Sequence, residues 1–64
     1  MKTYLINFHN WRAANLFAAN IPCRRKYSHY FPLDNVVIIQ VKRADESALK
    51  RAAEAYKAVS IRRI

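Results

Sequence analysis

With 64 residues the chain has room for one domain and one modest core, and its 12 Lys and Arg against 4 Asp and Glu leave a formal charge of +8. A hydrophobic share of 53% argues against disorder at that charge, the single cysteine excludes an internal disulfide framework, and the absence of glycine excludes phosphate-cradling loops of the Walker or dinucleotide type. The charge density favours a nucleic acid or an acidic protein surface as partner.

The first residues, MKTYLINFHNWR, carry neither an adequate apolar stretch nor a small-residue cleavage site, so no signal peptide is expected. The aliphatic run Val36 to Ile39 with Val41 is far too short to span a bilayer. Together with the lone Cys23, these features lead us to expect a cytoplasmic protein with no membrane association and no cofactor.

In chain order, residues 2–8 (KTYLINF) alternate, placing Tyr4, Ile6 and Phe8 on one face of a strand. Asn10 then offers an N-cap to a helix over 11–19. Trp11, Ala14, Phe17, Ala18 and Ile21 fall within about 120° of its circumference at 100° per residue. Leu16 lies off that stripe, which keeps a hairpin open as the competing pattern, with its turn at residues 10–13 and a second strand through Leu16 to Ile21. Asn20 and Pro22 stop either element. Residues 22–35 are irregular, with Tyr27, His29 and Phe31 spaced for a short edge strand. In a chain without glycine, positive φ is expected at Asn10, Asn20 or the Asp34-Asn35 pair.

The β-branched run VVIIQV after Asn35 reads as a central strand buried on both faces. Asp45 then opens a helix expected to run to about Val59, with Ala48, Leu49, Ala52, Ala53 and Tyr56 as its apolar stripe. Glu46 and Lys50 form a favourable i,i+4 pair near its positive end. Val59 and Ile61 alternate with Ser60 and Arg62 in a last strand. These elements predict a single small α/β (α+β) domain over residues 1–64, with one sheet of three to four strands and one or two helices in the order β-α-β-α-β. If 11–19 is a strand, the order becomes ββ-(β)-β-α-β. Strands 36–42 and 59–63 are expected to be parallel neighbours joined by a right-handed crossover.

Two groups of residues are binding candidates. In Arg24, Arg25, Lys26, Tyr27, Ser28, His29 and Tyr30, cations that contact phosphate adjoin rings that can stack on exposed bases. The competing role for the rings is core packing, because each buries a large area in a domain short of apolar surface. Lys42, Arg43, Arg62 and Arg63 would converge into a second patch if the two strands are neighbours, the simpler role being solvation of strand ends.

Catalysis has less support. His9 and His29 are the general-base candidates at neutral pH, and no His, Cys or Asp spacing matches a zinc motif. The triplet Tyr27-Ser28-His29 resembles the Gly-Ser-His region of the HicA family of toxin ribonucleases, which would imply RNA cleavage by His29. The chain departs from that family in lacking the glycine and in ending on a strand instead of a helix.

The tail DNVVIIQVKRADESALKRAAEAYKAVSIRRI combines a strand, a helix opening on acids and a short V-x-I strand. In this architecture, over residues 36–64, it resembles the short accessory proteins with which bacteriophages bind host factors, including inhibitors of host transcription and defence enzymes. That resemblance implies a host protein as partner and transfers no site residue.

The expectation is a basic, non-enzymatic binding protein acting on nucleic acid or on a nucleic-acid-processing enzyme. A phage-type inhibitor or adaptor docking on a host protein is the second reading, and a ribonuclease using His29 the third. Arg24→Ala with Arg25→Ala should weaken oligonucleotide binding at least tenfold, about 1.4 kcal/mol. Lys50→Ala with Arg51→Ala removes equal charge from the mixed-charge helix face and should cost less. Fluorescence anisotropy on the two double variants decides this, and equal losses would mean that net charge alone drives binding.

Overall fold

A computed structural model describes residues 1–21 and 29–64. The elements are β1 (Lys2–Asn7), α1 (Trp11–Ala19), β2 (His29–Leu33), β3 (Val36–Val41), a 3-10 turn (Arg43–Asp45), α2 (Glu46–Ala55) and β4 (Ser60–Arg63). The strands form one antiparallel sheet in the order β2-β3-β1-β4. Each β-α-β half therefore skips a strand, β3 lying between β1 and β2, and β1 between β3 and β4. This is the split β-α-β plan of a ferredoxin-like arrangement. No helix among the described residues is long and apolar enough to cross a membrane.

β3 and β4 do run in the same direction, but they are not the neighbours that the sequence suggested, because β1 is inserted between them. The physical reason lies in β1 itself. Tyr4, Ile6 and Phe8 are three large core side chains, and a central position buries all three. The core comprises these residues, Val37, Ile39 and Val41 of β3, Ala14 and Phe17 of α1, and Leu49, Ala52 and Ala53 of α2. Its aromatic members interlock, with Phe8 and Phe17 at 5.1 Å and Phe17 edge-on to Tyr56 at 6.3 Å. Offset and edge-on ring pairs of this kind add to simple area burial.

Helix α1 has the span expected of it, and the hairpin alternative for 11–19 is excluded. The Asn10 side chain accepts from the Ala13 amide at 2.9 Å. At the other end the Asn20 carboxamide donates to the Leu16 carbonyl at 2.8 Å. The stripe is narrower than expected: Ala14 and Phe17 are buried, whereas Trp11 is 59% exposed. Trp11 occupies the first helical position, beyond the part of α1 that lies over the core.

Asn35 ties the β2-β3 turn to the end of β1. Its carbonyl accepts from the Phe8 amide at 2.8 Å, and its carboxamide donates to the Phe8 carbonyl at 3.0 Å. Helix α2 ends four residues before the expected Val59. The Lys57 amide donates to Glu54 and the Ala58 amide to Ala53, both at 2.9 Å, which is a Schellman closure. The closure requires a left-handed residue, and Lys57 supplies it at φ 58°. Positive φ thus falls on a lysine and not on Asn10, Asn20, Asp34 or Asn35, because the geometry of the helix end decides the position.

Tyr4 links β1 to the start of α2. Its buried ring ends in a hydroxyl that donates to Glu46 Oε1 at 2.8 Å, and Lys50 Nζ lies 5.8 Å from the ring centroid. The bond to Glu46, then burial, then the carboxylate's charge, raise the Tyr4 pKa above its ordinary value of 10.0. The raised folded value means that the unfolded chain releases this proton first, so stability holds below pH ~10 and falls as pH rises further.

Two predictions follow from these local arrangements. Tyr4→Phe should lower stability by about 1 kcal/mol at neutral pH, the net worth of one hydrogen bond, and should flatten the alkaline decline. Urea melts at pH ~7 and in the alkaline range above the ordinary tyrosine pKa measure both effects. Lys57→Gly should raise stability by up to roughly 1 kcal/mol by removing the left-handed penalty, and a shift of the urea midpoint at constant slope would register it.

Candidate functional site

Both helices pack on one face of the sheet, and residue parity defines the other. Directly paired residues of an antiparallel sheet share a face, and neighbours along a strand alternate. Since Tyr4 and Ile6 point to the helices, Thr3, Leu5 and Asn7 point away. Their partners on β3 are Gln40, Ile38 and Val36, and on β4 Leu5 and Asn7 face Arg62 and Ser60. On β2, Tyr30 pairs with Ile38 and Leu33 with Val36, across a register shift that lies between Tyr30 and Leu33.

This face has an apolar floor and polar edges. Leu5 and Ile38 are half-buried, and Val36 is buried on this side without joining the helix-side core. The Gln40 carboxamide donates to Thr3 Oγ1 at 3.3 Å, and the Asn7 carboxamide to Ser60 Oγ at 3.2 Å. Each pair keeps further donors and acceptors for another molecule. Thr3, His29, Tyr30, Ile38 and Gln40 line a shallow cleft of about 310 Å³, over which the Tyr30 ring stands 59% exposed. The run of β3, expected to be buried on both faces, is buried throughout on the helix side, whereas on the open side burial falls from Val36 through half-buried Ile38 to exposed Gln40, because two short helices can cover one face of four strands and not both.

The electrostatics of the two faces differ. Asp34 sits in the β2-β3 turn, Asp45 in the 3-10 turn, and Glu46 and Glu54 on α2, so none of the four carboxylates lies on the open face. Arg62 does lie there, opposite Leu5.

The strand neighbourhood on which a common patch of Lys42, Arg43, Arg62 and Arg63 rested is absent, because β1 lies between β3 and β4. Arg63 pairs with Tyr4 and faces the helix side, whereas its neighbour Arg62 faces the open side. Lys42 and Arg43 follow the end of β3, separated from β4 by the full width of β1. Lys2, opposite Val41, occupies that intervening position. Sequence reasoning passed over Lys2 because no basic neighbour marked it. It also missed Thr3, Leu5, Asn7, Ile38 and Gln40, although the strict alternation of β1 already separates Thr3, Leu5 and Asn7 from Tyr4, Ile6 and Phe8.

Of the cationic-aromatic segment, Arg24, Arg25, Lys26, Tyr27 and Ser28 lie outside the described residues, while His29 and Tyr30 open β2. His29 is exposed and stacks edge-on against Phe31 at 5.7 Å. Among the described residues no acid or hydroxyl bonds its imidazole. His29 is level with Ile39 and hence with Tyr4, whereas His9 lies five residues further along the chain than Tyr4, a separation of about 17 Å at strand rise. The two histidines do not form an acid-base pair. Among the described residues no three His, Cys, Asp or Glu side chains gather as metal ligands.

No protein-family model matches the chain, and neither a curated protein nor a solved structure matches it at a significant level.

Proposed function

We propose that the protein is a non-enzymatic nucleic-acid-binding protein that seats an unpaired strand across the open face of its sheet. The observation that carries this reading is the segregation on that face. Tyr30 stands exposed above a cleft edged by Thr3 and Gln40, Arg62 lies on the same face, and all four carboxylates are elsewhere. A stacking ring accepts any base, free amide and hydroxyl groups bond base edges, and a cation neutralises the backbone. The net charge of +8 adds long-range attraction that draws a polyanion to the molecule. A flat face suits a splayed single strand better than a duplex, whose bases are already stacked and whose grooves call for a protruding element. Catalysis has no part in this reading.

The two components of such an interface separate experimentally. Tyr30→Ala should weaken binding to a labelled single-stranded oligonucleotide about tenfold, since stacking is worth ~1–3 kcal/mol per base. It should leave the salt dependence unchanged. Arg62→Ala should flatten the plot of log affinity against log salt by about 0.7, the loss of one phosphate contact to a single strand. A blunt duplex of the same sequence should bind more weakly than the single strand. No detectable binding at about 50 mM salt, where the electrostatic contribution is largest, would refute the proposal.

A further inference from the structure

On the helix side, and separate from the open face, Trp11, Asn15, Phe31 and Asp34 line a second cleft of about 420 Å³ between the first turn of α1 and the β2-β3 hairpin. Its two rings are held out of the core, with Trp11 59% and Phe31 38% exposed. Its free hydrogen-bonding groups are mostly acceptors. One Asn15 amide hydrogen is donated to the Trp11 carbonyl at 2.8 Å, and the Asn15 Oδ1 oxygen accepts no hydrogen bond among the described residues. The Asp34 carboxylate makes no hydrogen bond or ion pair among the described residues. Nor does it cap α1, whose start is held by the Asn10 side chain. One of only four Asp and Glu side chains in a chain of net charge +8 thus has no partner among the described residues and shares this cleft with two aromatic rings.

We propose that this cleft is a guanidinium pocket that receives an arginine side chain of a partner polypeptide. A flat, weakly hydrated cation stacks on ring faces, and its fork of N–H donors matches a carboxylate and a neighbouring amide oxygen. Lysine offers a compact, strongly hydrated charge and fits this combination less well. A neutral apolar occupant would cover the rings but leave Asp34 desolvated and unpaired, which is costly. A nucleic-acid strand would bring phosphate towards that carboxylate. The pocket and the open face therefore select opposite charges.

Trp11 is the only tryptophan; it lines both this cleft and an adjoining groove with Arg12, Leu16 and Ala19, so its emission reports binding at either, and the Asp34 variants assign the response to this cleft. The 64-residue chain would be titrated at constant ionic strength with the blocked tripeptide acetyl-Gly-Arg-Gly-amide, its citrulline and lysine analogues, and free arginine. The arginine tripeptide should give a saturable emission change, and neutral citrulline none. Lysine should bind about fivefold more weakly, as should the arginine tripeptide to Asp34→Asn, each through loss of a charge-assisted hydrogen bond. Asp34→Ser serves if the asparagine variant fails to fold, and circular dichroism checks both. Equal responses to arginine and citrulline, or unchanged affinity in folded Asp34 variants, would overturn the pocket. Tighter binding of free arginine than of the tripeptide would overturn the polypeptide source. A dimer seen by sedimentation that dissociates on Asp34 substitution would show the occupant to be a second copy and overturn the separate partner.

Discussion

The structure depends on β1 being paired along both of its edges, with β3 on one side and β4 on the other. The strand and the residue that follows it bring Tyr4, Ile6 and Phe8 into the core, and the chain returns to them repeatedly. Asn35 clamps Phe8 from the β2-β3 turn, the Val59 amide donates to Asn7, and the Ile64 amide donates to Thr3. With no disulfide and no glycine turn, this distant backbone pairing joins the two halves, and Tyr4 extends it to α2 through Glu46. The aromatic contacts from Phe8 through Phe17 to Tyr56 then close both helices over the same face.

An open sheet face is a consequence of that economy. Two helices of nine and ten residues cover one side of four strands. The other side is composed accordingly: half-buried Leu5 and Ile38 reduce the apolar area shown to water, while Thr3, Gln40, Asn7 and Ser60 satisfy one another across the strands. Cross-strand polar pairs stabilise a solvated face without demanding a covering layer. The same pairs keep hydrogen-bonding capacity in reserve.

Charge is distributed by the same division. Asp45 and Glu46 belong near the start of α2, where the helix dipole favours negative charge, and Glu46 also receives the Tyr4 hydroxyl. Glu54 lies on the solvated side of that helix, and Asp34 sits in a turn. The uses of the carboxylates in helix starts and turns thus draw them off the open strands. What remains on the open face is Arg62, with no acidic side chain beside it among the described residues.

The sequence by itself determined the local elements: the alternation of β1, the Asn10 cap and span of α1, the β-branched run of β3, and the apolar stripe of α2. Each is set by period and capping within a few residues, so it is readable without partners. Strand order was not readable, because the pairing energies of β3 with β1 and with β4 leave the same local pattern. Only the tertiary structure placed β1 between them and sent Arg62 and Arg63 to opposite faces. The extent of α2 and the left-handed Lys57 were likewise decided by the Schellman closure, which no glycine announced. Tyr30 was legible as a stacking candidate, but the surface it shares with Thr3, Ile38 and Gln40 was not, since those residues lie on different strands. Trp11, which helical periodicity assigns to the core, is exposed because periodicity fixes the angle of a side chain around the helix and says nothing of how far the core beneath it extends.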